Sequence, residues 1–328
     1  MSTQDASVAF PKEETYYHEK IKRGLWTSYQ VIDMEFSGES KFQSVQVFNT
    51  EPFGQVLVTD GLLQSTEIDE HVYHESLVQP ALCLHPSPKK VYIGGGGEGA
   101  TLREVLKHAC VERCDMVDID GYVVDNCRKY MPKHSAGAFE DKRCNLVIAD
   151  ARTELEKVPD STYDVIIMDL SDPLEAGPCY KLYTDEFYTI CKSKLTKDGI
   201  FVTQSGCASV LDAKDGVFGP VNATLKKVFG ADNVFGYNSY IPSFSSEWGF
   251  NIAFQGSPSS MSRAQHDLDA IISARSLNMK WYDSITHGRM FSLPKEVRDL
   301  LAKEKRVMTA ENPLFMVQSD VAQGIISD

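Results

Sequence analysis

Three observations predict an α/β chain in which a small antiparallel β domain precedes a doubly wound, mostly parallel sheet. Short alternating segments fill the first 70 residues. Apolar strands alternate with amphipathic helices after about residue 90, and a glycine-rich turn stands at the first strand-to-helix junction. The chain has 328 residues, 42% of them hydrophobic, which is enough for a full core and two domains.

The elements follow in order. Residues 1–15 are polar and read as a flexible tail, 16–80 as the β domain, and 81–328 as the α/β domain. The runs SYQVIDMEF, FQSVQVFNT and GQVLVTDG alternate in polarity, with turn signals at Asn49-Thr50-Glu51-Pro52 and Asp60-Gly61. A helix is expected from Asp69 to Leu84, stopped by Pro86. Then KKVYIGGGG is a strand entering a loop and ATLREVLKHA a helix; CDMVDID is a strand and YVVDNCRKYM a helix. NLVIAD is a strand and YDVIIMDLSDP a long buried one, followed by the helix DEFYTICKSKL, which Asp198-Gly199 closes. GIFVTQSG, a further helix and VFGYNSYIP complete the pattern. Near-continuous apolar strands separated by helices are buried on both faces, as parallel strands must be.

Net charge is −13, which counts against a nucleic-acid partner, since phosphate binding needs a basic surface. It suits attraction of a cationic small molecule, and equally an ordinary solvated surface. The eight cysteines form no C-x-x-C pair, and none stands at metal-ligand spacing from a histidine. Reduced thiols in a cytoplasmic protein are the simple account. The N-terminus lacks the apolar core of a signal peptide, and no run approaches a membrane span, so no membrane association is expected.

The glycine loop VYIGGGGEGATLREVLKH fits G-x-G-x-x-G as Gly94, Gly96 and Gly99, a spacing that normally accommodates a nucleotide. Glu98 stands inside it. A carboxylate there would repel a pyrophosphate by about 4 kcal/mol for like charges near 4 Å at an effective dielectric of 20. It would attract an ammonium or a sulfonium. The other reading of Glu98 is a solvent-facing first-turn acid favoured by the helix dipole. Ligands of open parallel sheets bind beyond the carboxyl ends of the strands. Those ends carry Glu98, Asp118 and Asp120, Asp150, Asp169 and Asp172, then Gln204. Asp120, about 20 residues past the loop, is placed to accept hydrogen bonds from ribose hydroxyls; otherwise it is a helix N-cap, and Asp150 a turn acid. In DLSDP, Asp169 and Asp172 can line one pocket only if the chain turns at Ser171. Two such acids suit an amine substrate, one taking a proton while the other grips an ammonium. Metal binding is the rival, but no histidine joins them in sequence.

These residues resemble the polyamine aminopropyltransferases, the spermidine and spermine synthases, from about Gly24 to Pro294. Tyr29-Gln30 resembles their Y-Q strand, and DGLLQSTEIDEHVYHE their D-G-x-x-Q-x-T-E-x-D-E-x-x-Y segment, which places the tyrosine at Tyr73. Their G-G-G-[DE]-G loop carries its acid here as Glu98. Asp120 matches the ribose-binding acid, Asp150-Ala151 the adenine-binding motif, and DLSDP their D-S-S-D-P. Tyr240-Ile-Pro through Trp248-Gly-Phe is similar to their I-P-[ST]-Y-P-S-G-x-x-G-F strand.

The resemblance implies a Rossmann-like, methyltransferase-type sheet and a co-substrate, decarboxylated S-adenosylmethionine, with no prosthetic group and no metal. It implies Gln30, Gly95, Gly96, Glu98, Asp120, Asp150 and Ala151 on the adenosyl ligand. Asp169 is then the general base and Tyr73 orients the amine. Gln64, His74, Asp172, Glu175, Gln204, Phe244 and Trp248 would meet the acceptor, and a homodimer or larger homo-oligomer is implied. Two departures fall at the acceptor end. The loop DPLEAGPCYKLYTDEFY is lengthened before Gly177-Pro178 and carries Glu175; Phe244 replaces a tyrosine, in a loop one residue shorter. The form DLSDPLEAGPCY resembles the thermospermine-forming members, which use spermidine. Spermidine synthesis from putrescine and spermine synthesis stay open, as does a methyltransferase, although Glu98 would oppose the donor carboxylate of S-adenosylmethionine. Cys179 reads as filler, since nothing beside it in sequence would lower its pKa.

Overall fold

The structure is a computed structural model that describes residues 14–22, 24–175, 177–212, 216–262 and 265–316. The chain divides into two compact units between Thr66 and Glu67, a boundary earlier than the expected residue 80. The tail expected over 1–15 lies, up to residue 13, outside the described residues, and Thr15 already belongs to a strand.

The N-terminal unit is one antiparallel sheet in sequence order. It comprises β1 (Thr15–Lys22), β2 (Leu25–Glu39), β3 (Ser44–Thr50), β4 (Gly54–Thr59) and β5 (Leu62–Thr66). Asp60 and Gly61 both have positive φ, the conformation of a tight two-residue hairpin turn between β4 and β5. Strand β1, which the sequence pattern did not single out, is tied in by Tyr17, whose buried ring packs on Phe48 and whose hydroxyl donates to the Gly61 carbonyl at 2.9 Å.

The larger unit begins with α1 (Glu70–Leu84) and continues through β6 (Lys90–Gly95), α2 (Ala100–Leu106), β7 (Arg113–Asp118), α3 (Gly121–Tyr130) and α4 (Pro132–Ser135). Next come β8 (Cys144–Ile148), α5 (Ala151–Lys157), β9 (Tyr163–Asp169), α6 (Asp185–Lys194), β10 (Leu195–Cys207) and α7 (Phe218–Phe229). The hairpin β11 (Val234–Ile241) and β12 (Ser246–Phe254) and helices α8 (Gln265–Ala274), α9 (Ser284–Phe291) and α10 (Lys295–Lys303) complete it.

Its sheet runs β11-β12-β10-β9-β6-β7-β8. Strands β10, β9, β6, β7 and β8 are parallel, while β12 is antiparallel to both β10 and β11. The reversal follows from the connection: only antiparallel strands can be joined by the short turn at residues 242–245. Side chains alternate between two cores. Val91 and Ile93 of β6 face one, with Val165 and Ile167 of β9, while Tyr92, Ile166 and Met168 face the other. Helices cover both faces, as the apolar runs required.

One position governs function. After β6 the chain builds outward through β7 and β8, then crosses back to lay β9 on the other side of β6. The crevice at such a switch point is where open α/β sheets bind ligands. The long strand expected to reach Pro173 stops at Asp169. Gly95 is its last partner, and beyond it the glycine loop turns away, leaving residues 170–173 without a neighbouring strand.

Candidate active site

Strands β6 and β9 end together, and the glycine loop lets them approach. Gly96 N–H donates to the Asp169 carbonyl at 3.0 Å, and a Cβ on Gly95 would lie 2.0 Å from that oxygen. With φ at +86°, Gly95 admits no side chain on either count. The Asp169 carboxylate is gripped from two helices: Tyr73 Oη of α1 donates to Oδ1 at 2.8 Å and Thr101 Oγ1 of α2 to Oδ2 at 2.6 Å. Burial, then the charge of Glu98, push Asp169 up to about 6, against the pull of His74 and the two hydrogen bonds. It is a carboxylate immobilised by two hydroxyls and raised toward neutrality by its surroundings. Thr101 was not foreseen; its signal is a hydroxyl in the first turn of the helix that follows the loop.

Glu98 faces His74. His74 Nε2 lies 2.6 Å from Glu98 Oε1, and Nδ1 lies 2.9 Å from Glu70 Oε2, which also receives Arg103 Nη2 at 2.8 Å. His74 is 2% exposed and Glu98 13%. Burial alone would lower the histidine, but the hydrogen bonds and charges of Glu70 and Glu98 push it up to about 10. Burial would raise Glu98, yet His74 holds it below the ordinary carboxylate range. His74, expected to meet the acceptor, is a buried imidazolium clamped between two carboxylates. One atom each of His74, Glu98 and Asp169 lie within 4.8 Å of one another, a grouping the sequence did not reveal. It fits a metal poorly. An imidazolium donates from both nitrogens and has no lone pair to offer.

Of the two acids at the end of β7, Asp118 is the last residue of the strand and Asp120 caps the helix that follows. Asp120 is 2% exposed and its Oδ1 accepts from Tyr122 N–H at 3.1 Å as the N-cap of α3. Asp118, the last residue of β7, is the one turned to the glycine loop, its Oδ2 lying 3.0 Å from where a Cβ on Gly97 would stand. Burial and the charges of Glu98, Asp120 and Asp169 push Asp118 up to about 7, against the pull of the Asp120 N–H. The structure thus corrects the sequence assignment: the loop-facing strand-end acid is Asp118. Asp150 is exposed and caps α5, accepting from Thr153 N–H at 2.7 Å. Ala151 is buried, and its carbonyl receives the Tyr92 hydroxyl at 2.6 Å.

The far wall is built differently. Gln204 Nε2 lies 2.7 Å from the Leu170 carbonyl, 2.7 Å from Tyr183 Oη and 3.2 Å from Asp172 Oδ1, while its Oε1 accepts Gly206 N–H at 2.8 Å. Gln204, expected to meet the acceptor, is thus engaged in holding the DLSDP segment. Tyr183 Oη donates to the Ser171 carbonyl at 3.1 Å; the turn expected at Ser171 is not formed, and the segment 170–174 runs without regular structure. Glu175 is exposed on the loop beyond. Burial first, then Asp118 and Asp172, push the Cys179 thiol up to about 11, so it is no nucleophile. Phe244 stands edge-on to Tyr73 at 6.0 Å and to Trp248 at 4.8 Å. Its turn is anchored by Asp69, whose Oδ2 accepts Ser243 N–H at 2.7 Å and Oδ1 the Ser243 hydroxyl at 3.0 Å. Gln30 and Gln64 lie on β2 and β5 of the N-terminal unit.

Comparison with known proteins places this geometry. Residues 70–263 match the spermine/spermidine synthase domain, and residues 15–67 the spermidine synthase tetramerisation domain. Among curated relatives, the thermospermine synthase of Arabidopsis thaliana is 40% identical over 309 residues, covering 94% of this chain and 89% of its own. A polyamine aminopropyltransferase of Aeropyrum pernix is 41% identical over 298 residues, covering 88% and 91%. Among solved structures, a spermidine synthase in complex with the transition-state analogue AdoDATO superposes with a TM-score of 0.79 at 32% identity, covering 88% of this chain and 94% of that one.

Proposed function

The chain belongs to the spermine/spermidine synthase family and is a polyamine aminopropyltransferase, and on that premise we propose that it moves the aminopropyl group of decarboxylated S-adenosylmethionine onto spermidine, giving thermospermine and 5′-methylthioadenosine. The observation that carries the chemistry is Asp169, held by Tyr73 and Thr101 beside Glu98. Four carboxylates (Glu98, Asp118, Asp169 and Asp172) surround the switch-point crevice with one buried imidazolium among them, a balance that favours cationic ligands.

In the proposed reaction the acceptor's primary amine attacks the carbon next to the sulfonium, and the thioether leaves as a neutral molecule. The amine must first lose a proton, at a cost of roughly 4–5 kcal/mol at pH 7 for a lysine-like group. The sulfonium itself helps: a second cation near 4 Å opposes the ammonium by about 4 kcal/mol at an effective dielectric of 20. Asp169 takes the proton, and its two hydrogen bonds fix the direction from which it does so. In the donor's site Asp118 accepts from the ribose and Asp150 and Ala151 border the base. Gly95 and Gly96 give the close backbone approach, and Glu98 receives the propylamine. Gln30 and Gln64 join the proposal on the sequence resemblance alone. Asp172, Glu175, Phe244 and Trp248 shape the acceptor end.

Spermidine as acceptor is supported by the lengthened DLSDPLEAGPCY loop, by Phe244 in place of a tyrosine, and by the thermospermine synthase among the relatives. The Aeropyrum pernix relative carries the broader name polyamine aminopropyltransferase, and putrescine is the alternative acceptor. A homo-oligomer is proposed from the tetramerisation-domain match. No described helix is long and apolar enough to cross a membrane, and a cytoplasmic location is proposed with it. The test supplies decarboxylated S-adenosylmethionine with putrescine and, separately, with spermidine, and resolves spermine from thermospermine by chromatography. Thermospermine from spermidine, with little product from putrescine, is expected. Efficient spermidine formation from putrescine would overturn the acceptor assignment, and methyl transfer from S-adenosylmethionine the whole reading.

A further inference from the structure

Beyond α10 the described residues form no helix or strand, yet residues 305–316 follow a defined course. Met308 is fully buried; its N–H donates to Thr224 Oγ1 of α7 at 2.9 Å and its carbonyl accepts Asp185 N–H of α6 at 2.9 Å. Ala310 N–H donates to both carboxylate oxygens of Glu186 at 3.1 Å. Thr309 and Asn312 then close a turn on each other through their backbones, and Leu314 and Met316 pack against the core under β9 and β10. The segment ends on the loop that leaves Asp169. Met316 N–H donates to the Pro173 carbonyl at 2.9 Å, and Phe315 stands edge-on to Tyr180 at 5.3 Å.

That loop needs such support. It departs where β9 loses its partner strand, so its backbone lacks a ladder, and it carries Asp172 and Glu175. Ser171 is tied to Tyr183 on one side, and Pro173 and Tyr180 are the points the C-terminal segment touches on the other. We propose that residues 308–316 brace the acceptor-side loop, and that Phe315 and Met316 are positioning residues that set where Asp172 stands and hence which amine is accepted. The selectivity half rests on the aminopropyl-transfer reading above; the brace itself does not.

Two variants test it without touching the catalytic groups. Phe315→Ala removes the contact with Tyr180, and Met316→Pro removes the N–H that reaches Pro173 while keeping an apolar side chain. Steady-state kinetics should show KM for spermidine raised about 2- to 10-fold in each, with KM for the sulfonium donor within twofold of the parent. Phe315→Tyr, which keeps the ring, should restore the parent value. Hydrogen exchange should rise in residues 170–183 and stay unchanged in the glycine loop. Unchanged exchange in 170–183 overturns the brace, whichever product the parent enzyme makes. Equal rises in both KM values, or a fall in kcat alone, overturn the selectivity claim. A parent enzyme inactive with every polyamine removes the selectivity claim together with the proposed function, while exchange still decides the brace.

Discussion

The two walls of the site are held by different physics. On the glycine-loop side, Glu70, His74, Glu98 and Arg103 form a buried ion-paired chain anchored in α1 and α2. On the other, the neutral donors Gln204 and Tyr183 hold the segment after β9 through its carbonyls, Asp69 accepts from Ser243 in the turn that carries Phe244, and Phe244 and Trp248 supply an aromatic surface. A buried ion pair tolerates almost no change, because losing one partner strands the other charge away from water. A wall of turns and rings can be reshaped one side chain at a time. The contrast matches a reaction whose donor is constant while its acceptor varies in length. Substitutions on the first wall should therefore affect all acceptors alike, and those on the second should alter their ranking.

Asp169 stands between the walls and should give the largest effect. Asp169→Asn keeps the shape but offers one acceptor where the carboxylate offers two, so one of the Tyr73 and Thr101 hydroxyls must turn to accept from the amide, and it cannot take a proton. Loss of a general base predicts a fall in kcat of about 10²–10⁴-fold for putrescine and spermidine alike, with thermal stability nearly unchanged. The parent enzyme should show the same group by titration. Because burial and Glu98 push Asp169 up to about 6, activity is present above that pH and lost as pH falls through it. A rate that stays flat from pH 7 down to pH 5 would remove Asp169 from the role of base.

His74→Ala tests the rigid wall next. It leaves Glu98 without its ion partner, while Glu70 keeps Arg103, and breaking a buried pair in this way costs about 3–5 kcal/mol. Denaturant unfolding of the variant should show that loss. In the parent protein the folded-state pKa of His74 is raised, to about 10. Its contribution is therefore complete below the unfolded value near 6.5 and disappears as pH rises through about 10. The variant's stability should be the less sensitive to alkali. If both proteins lose stability equally between pH 7 and pH 10, the imidazolium assignment is wrong.

Glu98→Gln comes third. It retains a hydrogen-bonding partner for His74 but removes the charge proposed to receive the donor's propylamine. A hydrogen bond to a charged group contributes about 1.5–3 kcal/mol, so donor affinity should fall roughly 10- to 150-fold, equally with either acceptor. Calorimetric titration of the donor reads this directly. An unchanged dissociation constant would mean that Glu98 serves His74 alone.

How much of this was legible depends on whether sequence neighbours became spatial ones. Asp169 and Tyr73 stood out because each sits in a run of motif residues, and the glycine loop announces the switch point by itself. The Glu98–His74 contact joins positions 24 apart on different elements, and no local pattern records it. Asp118 and Asp120 share a parity along the strand, so alternation cannot choose between them; the choice falls to where β7 stops and α3 takes its cap. Gln204 looked like a ligand group because it lies on a strand of the parallel set, but its amide also holds the segment after β9 that no strand supports. The brace at 308–316 has neither helical nor strand periodicity, and only the fold shows what it touches.

The smallest effect should come from Phe244→Tyr, which most sharply separates the walls. The ring lies edge-on to both Tyr73 and Trp248, so a para-hydroxyl can be added with little repacking. It restores the hydroxyl that the family pattern carries at this position. If that hydroxyl gains one ordinary hydrogen bond to a bound amine, about 0.5–1.5 kcal/mol is at stake, or roughly 2- to 10-fold. The expected outcome is a shift of that size in the ratio of kcat/KM for putrescine over spermidine, with donor KM unmoved. A change in donor KM of similar size would show that the two walls are coupled through Tyr73. In that case the division between a fixed donor side and an adjustable acceptor side would fail at Tyr73, which meets both Asp169 and Phe244.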